Sequence, residues 1–211
     1  CGRKSVYLSI YLKKKFNKSI NIHIQNPKIS SKNFSFVIAP NHDNYKGINV
    51  INSIGALHNF KSDGVSKNNK SNLVSCIIGG ENNHYLFSVK EANNICENIK
   101  KLKNNNPNLE FLVITSRRTN AEIKNILKKE LGAISKLWIG IGSNPYKFAL
   151  YNSKFFIITS DSTSMISEAS ISGKPIYIYQ LPFKRKSPRF IRFHQEFRRL
   201  KITKDLIKIN T

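Results

Sequence analysis

One stretch constrains this chain more than any other. From Lys154 to Leu181 the sequence reads KFFIITSDSTSMISEASISGKPIYIYQL. An apolar run, Lys154 to Thr159, has the length and β-branched content of a buried strand. It breaks into Ser160-Asp161-Ser162-Thr163-Ser164, residues that favour helix caps over helix interiors. Met165, Ile166 and Ala169 then recur at helical spacing, Gly173 and Pro175 stop the helix, and Ile176 to Tyr179 form a second strand. Strand, capped turn, helix and strand make one βαβ unit. Its turn offers hydroxyls and backbone N–H groups at a helix start, which suits an anion. Glu168 falls one turn beyond Ser164 on the same face. A capping box would need the carboxylate at the third helical position, so capping does not explain it.

Residues 73–153 repeat the alternation. Leu73 to Ile78 predicts a strand ending at Gly79-Gly80. Ser88 with Glu91 predicts a capped helix buried through Ala92, Ile95, Cys96, Ile99 and Leu102. Leu109 to Thr115 predicts the next strand. Thr119 with Glu122 predicts a second capping box ahead of Ile123, Ile126, Leu127 and Leu131. Leu137 to Ile141 predicts a third strand, and Asn144-Pro145 a helix start. Alternating strands and helices predict a parallel sheet covered on both faces, with ligands beyond the strands' carboxyl ends. Those ends carry Gly79, Gly80, Ser116, Arg117, Arg118, Gly140 to Ser143, Ser160, Asp161, Ser162, Thr163, Ser164 and Gln180. Glycines there would let a ligand approach the backbone, and a guanidinium beside a helix start suits a diphosphate.

The N-terminal part is smaller. Val6, Leu8, Ile10 and Leu12 mark a helix closed by Lys13 to Lys15. Ile20 to Gln25 alternates at period two, a strand with one exposed face. Phe34 to Ala39 predicts another strand, with Asn41-His42-Asp43 just past it. His42 and Asp43 are a candidate general base and its orienting carboxylate. Asn49 to Phe60 suits a short strand and a turn at Gly55. Lys61 to Asn72 has almost nothing to bury and reads as a linker. The expected organisation is therefore a partial N-terminal domain over 1–60, a linker over 61–72, and a C-terminal nucleotide-binding domain over 73–211. The chain starts at Cys1, which fits a fragment lacking an N-terminal part.

The formal charge is +23 over 211 residues. Such a charge suits an anionic partner. Lysine, asparagine and isoleucine are all abundant, however, as in a chain from an A/T-rich genome, so charge alone makes nucleic acid an unfavoured partner. Arginine is scarce and therefore more telling; it clusters at Arg117-Arg118 and from Arg185 to Arg199. The latter segment, KRKSPRFIRFHQEFRRL, predicts a basic helix packed by Phe190, Phe193 and Phe197, with an anionic membrane surface as its alternative partner. Cys76 and Cys96 read as core thiols, and no disulfide or zinc pattern is present. No apolar run reaches the roughly 20 residues of a membrane span. The expected location is cytoplasmic, either free or peripheral at a membrane. No P-loop, HExxH or complete GxGxxG occurs.

Several short pieces together resemble a known family: Cys1-Gly2-Arg3-Lys4-Ser5, Ile24-Gln25-Asn26-Pro27, Ala39-Pro40-Asn41-His42-Asp43, Gly55-Ala56-Leu57-His58, Ile78-Gly79-Gly80, Thr115-Ser116-Arg117-Arg118-Thr119, Asn144-Pro145-Tyr146 and Thr159 to Pro175. In that order they resemble the mitochondrial fission "elongated mitochondria" family, whose bacterial members are often labelled nucleoside-diphosphate-sugar epimerases. The resemblance implies two Rossmann-like domains, as in GT-B glycosyltransferases. It implies Glu168 on a donor ribose, Ser116, Arg117 and Ser162 to Ser164 on a donor diphosphate, and a metal-independent transfer of sugar to a hydroxyl. The nucleotide-sugar is then a substrate, with no cofactor and no metal. The epimerase label is expected to fit poorly, because the GxxGxxG and YxxxK of dehydrogenase-like epimerases are absent. The alternative is a non-catalytic recruitment or adaptor protein at a membrane surface.

Overall fold

A computed structural model describes residues 2–65 and 71–206. Cys1 and the middle of the expected linker lie outside the described residues. The chain divides into two units, Cys1–Leu57 with Pro188–Glu196, and His58–Ser187 with Phe197–Thr211.

Unit 1 opens with α1 (Val6–Lys15) and carries three short parallel strands in the order β1 (Ile22–Ile24), β2 (Phe36–Pro40), β3 (Val50–Ser53). Its core is Val6, Phe34, Val37 and Ala39, with Ile10, Ile29, Tyr45 and Val50 against it. The one-faced strand expected over residues 20–25 is present but turned over. His23 is buried against Phe34, their rings 5.0 Å apart, while Ile22 and Ile24 are exposed. Phe36 and Ile51 are exposed as well. A period of two fixes which residues share a face, but not which face finds a core.

Unit 2 holds β4 (Leu73–Ile78), α2 (Val89–Asn105), β5 (Glu110–Thr115), α3 (Ala121–Leu131), β6 (Ser135–Trp138), α4 (Tyr146–Asn152), β7 (Phe155–Thr159), α5 (Thr163–Ser170) and β8 (Ile176–Tyr179). Helix α6 (Pro188–Arg199) and β9 (Thr203–Asp205) follow. The six strands are all parallel in the order β6-β5-β4-β7-β8-β9. Strands β4, β5 and β7 are almost wholly buried, as a sheet covered on both faces requires. Helices α2 and α3 pack together, and the right-handed rule for parallel crossovers sets them on one face and α4 and α5 on the other. The winding reverses between β4 and β7, so their carboxyl ends flank the topological switch point.

Local chemistry explains the helix starts, with two corrections. Ser88 caps α2, but the Glu91 carboxylate accepts from the Tyr179 hydroxyl at 2.6 Å, not from the cap. Asn120, not Thr119, caps α3, accepting from the Ile123 amide at 2.8 Å. Thr119 is buried and donates to the Gly79 carbonyl. The strand expected over 137–141 lies two residues earlier, and β9 was not anticipated. Cys76 and Cys96 are free and buried, and burial pushes the Cys96 thiol up to about 12. Among the described residues no helix is long and apolar enough to cross a membrane.

Helix α6 corrects the expected domain boundary, because its first nine residues belong to unit 1. Phe190, Phe193 and Phe197 are buried as expected. Three of its arginines bind protein: Arg189 and Arg192 meet the residues after β2, and Arg198 pairs with Asp205. The aromatic stripe a membrane would need is therefore taken by the core.

Candidate functional site

The carboxyl rim of unit 2 gathers most of the residues singled out by sequence, and it gives a role to Asp161, which the sequence placed there only as a turn residue. Asp161, just past β7, is 2% exposed. Its Oδ2 accepts from the Gly80 amide at 3.1 Å and pairs with Arg118 Nη2 at 2.7 Å. Its Oδ1 accepts from the Thr159 hydroxyl at 2.6 Å, and Thr159 Oγ1 in turn accepts from the Gly79 amide at 2.8 Å. Arg118 Nη1 also donates to the Gly80 carbonyl at 3.0 Å. One buried carboxylate thus ties together the ends of β4, β5 and β7. A charge so placed is tolerable because it is paired and fully hydrogen-bonded.

This knot corrects three expectations. A Cβ on Gly79 would lie 2.2 Å from the Asp161 carboxylate, and one on Gly80 would lie 2.2 Å from the Arg118 carbonyl oxygen. Both glycines are needed for this internal packing, so ligand approach is not what requires them. Arg118 is a strut in the same knot, not a free diphosphate grip.

Other groups remain available. Arg117 is exposed and forms no hydrogen bond or ion pair among the described residues. Ser116 is half-buried, and its hydroxyl accepts from the Arg118 amide at 3.1 Å. Ser162 caps α5 by accepting from the Met165 amide, Thr163 is buried, and Ser164 is exposed. Glu168 is half-buried on α5, and its Oε2 accepts from the Tyr146 hydroxyl at 2.5 Å. The rim therefore presents a free guanidinium, a capped helix N-terminus with its dipole, and a carboxylate one turn along the helix.

In unit 1, His42 and Asp43 do not have the geometry of a base and its orienter. The His42 side chain has no exposed surface. Arg189 Nη2 lies 3.3 Å from His42 Nε2, and a guanidinium can only donate, so Nε2 accepts and the proton sits on Nδ1. That buried Nδ1 has no hydrogen-bond partner among the described residues. Burial, then the Arg189 charge, lowers the His42 pKa to about 4. Asp43 bonds Arg189 Nε at 2.5 Å and stands 3.9 Å from His42 Nε2. His42 is a neutral, buried acceptor for an arginine, its basic lone pair already used.

Clusters of three or more metal-ligating side chains are absent among the described residues. Asp161 and Tyr146 could have been found from sequence only weakly. Asp161 follows a strand directly, as caps also do, and Tyr146 follows Asn144-Pro145 in the matched motifs.

The fold has counterparts among solved structures. A UDP-N-acetylglucosamine 2-epimerase from Listeria monocytogenes aligns at TM-score 0.58 and 9% identity, over 91% of this chain and 64% of its own. MurG of Acinetobacter baumannii aligns at 0.54 and 10%, over 99% and 66%. MnaA of S. aureus, in a co-structure with UDP, aligns at 0.50 and 13%, over 94% and 71%. These likenesses define a GT-B-like α/β fold. Structures named as UDP-N-acetylglucosamine 2-epimerases are among those that share the fold. The family model for mitochondrial fission ELM1 matches residues 1–208, and the chain belongs to that family. An uncharacterized protein of Rickettsia prowazekii is 28% identical over 86% of the chain, and mitochondrial fission protein ELM1 of Arabidopsis thaliana 24% identical over 84%. The chain spans 63% and 50% of those two relatives.

Proposed function

We propose that unit 2 binds a nucleotide-sugar diphosphate at the carboxyl ends of its strands, and that the protein transfers the sugar to a hydroxyl acceptor without a metal. The observation that carries this reading is the division of labour on the rim. Asp161, Arg118, Gly79 and Gly80 hold the loops, while Arg117, the α5 N-terminus with Ser162 and Ser164, and Glu168 stay available to a ligand. The Arg117 charge and the α5 N–H groups suit a diphosphate, and Ser116, Thr163 and Ser164 line its approach. Glu168 suits the ribose hydroxyls. On transfer, the acceptor oxygen bonds to the sugar's anomeric carbon and gives up its proton to water, while the bond from the sugar to the diphosphate breaks and the departing anion keeps the electron pair. Donors fixed at a helix start stabilise that charge with little reorganisation. His42 does not take the acceptor's proton in this scheme, since its ring is buried and its lone pair engaged. The UDP-related solved neighbours support a nucleotide at this fold.

Isothermal titration of the folded protein with UDP-, GDP- and CMP-sugars tests the binding step. Silence with all three removes the proposal. Product analysis then separates transfer from epimerisation, since an epimerase would use the same rim and return an isomeric nucleotide-sugar without an acceptor.

A second reading, an adaptor without catalysis, is favoured by one observation. Tyr7, Leu8 and Tyr11 on α1 are exposed, as are the isoleucines of β1. Flotation with anionic liposomes at low salt discriminates: a protein that stays at the bottom of the gradient is not a membrane adaptor.

A further inference from the structure

Glu168 is not a loose carboxylate. Tyr146, the first residue of α4, donates its hydroxyl to Oε2 at 2.5 Å, while Oε1 forms no hydrogen bond among the described residues. The phenol is fixed from several sides. Its amide donates to Asn144 Oδ1 at 2.9 Å. Its ring packs on the cluster of Leu112, Ile114 and Ala149, and Phe60 meets it edge-on with centroids 6.0 Å apart. Burial raises the Tyr146 pKa well above the ordinary phenol range, and the Glu168 charge adds to this. The hydroxyl therefore stays a donor wherever the protein is folded. A flexible glutamate would instead lose side-chain freedom on meeting a ligand.

We propose that Tyr146 is a positioning residue of the nucleotide site: its hydroxyl fixes the Glu168 carboxylate and occupies Oε2, leaving Oε1 to accept from one hydroxyl of a ribose. This inference rests on the nucleotide reading above. Its consequence is unequal recognition of the two ribose hydroxyls, since a carboxylate with both oxygens free could grip the pair.

The test uses UDP and GDP with their 2′-deoxy and 3′-deoxy analogues, titrated into the protein and into Tyr146→Phe and Glu168→Gln. In the unaltered protein one deoxy analogue should bind about 10-fold more weakly than its parent, and the other within about 3-fold. Tyr146→Phe keeps the ring packing, should weaken the parent nucleotide about 5-fold, and should bring the two analogues closer together. A hydrogen bond serving stability alone would lower the melting temperature and leave that discrimination untouched. Equal losses for both analogues in the unaltered protein overturn the proposal, and this arm stands even if the phenylalanine variant does not fold. Discrimination unchanged in Tyr146→Phe but lost in Glu168→Gln also overturns it, while leaving the nucleotide reading intact. Failure of both nucleotides to bind the folded unaltered protein, together with silence of the UDP-, GDP- and CMP-sugars, ends both readings.

Discussion

Each unit ends a strand in an aspartate held by an arginine, yet the two rims are built for different ends. In unit 2, Asp161 takes Arg118 from a neighbouring turn and adds backbone and hydroxyl donors, so that the carboxylate is fully enclosed. Because these groups meet each other, Arg117, Ser164 and Glu168 are left facing other partners. In unit 1, Asp43 takes Arg189 from α6, far along the chain, and the same guanidinium engages His42. Its polar groups turn mostly to one another: Asn41 donates to Glu196 at 2.6 Å, and Arg192 Nε donates to the His42 carbonyl at 3.0 Å. One rim is a frame that leaves polar groups over; the other is a buckle that holds a returning helix. Similar residue types near strand ends are thus a poor guide to chemistry until their partners are known.

The contrast can be broken most sharply at the two aspartates. Asp161→Ala should cost about 3–5 kcal/mol, because it strips three loops of their common acceptor and leaves donors unpaired. Asp43→Ala should cost less, about 1–2 kcal/mol, since Arg189 is partly exposed and can return to water. Urea denaturation of both variants compares them, and equal costs would erase the distinction drawn between the rims.

Acid should separate the units next. The folded pKa of His42, about 4, lies below its ordinary 6.5, so the unfolded chain binds the extra proton first. Unit 1 is then stabilised fully above pH 6.5 and loses stability as pH falls from 6.5 towards 4, by about 1–3 kcal/mol. Burial lowers His23, also in unit 1, in the same direction. The chain's single tryptophan, Trp138, reports on unit 2. Melts followed by its fluorescence and by circular dichroism should diverge between pH 7 and 5, and the divergence should shrink in His42→Gln.

The arginine pair gives a smaller effect on stability but a clear one on binding. Arg117→Ala should leave stability within about 0.5 kcal/mol and weaken a nucleotide diphosphate about 10-fold. Arg118→Ala should do the reverse in emphasis, lowering the melting temperature first. The smallest change is expected at Ile51→Ser on the exposed face of unit 1, within about 0.5 kcal/mol. A large loss there would mean that this face is covered in the folded protein.

Much of unit 2 was legible because its signals are local. Apolar runs bounded by glycine or by caps gave β4, β5, β7 and β8 nearly to the residue, and Ser88 and Ser162 cap as their positions suggest. What failed depended on partners remote in sequence. Glu91 had a local role to fill and was drawn instead to Tyr179, 88 residues away. Thr119 looked like a cap, but Gly79 took its hydroxyl and Asn120 took the cap. At β1 the alternation was visible, but the buried face proved to be the one carrying His23. The site divided along the same line. Arg117, Ser164 and Glu168 could be picked out by position, whereas only the coordinates reveal that Arg118 and the glycines serve Asp161, or that Tyr146 holds Glu168.

The enclosure of Asp161 has a consequence for ionic strength. Its side chain has no exposed surface, so dissolved ions cannot reach the carboxylate that orders the loops. Arg117 stands in solvent, where at physiological salt charges more than about 8 Å apart are largely screened. Raising the salt should therefore weaken the grip on an anionic ligand long before it loosens the platform that presents it. Concentrated brine would leave this rim intact but deaf.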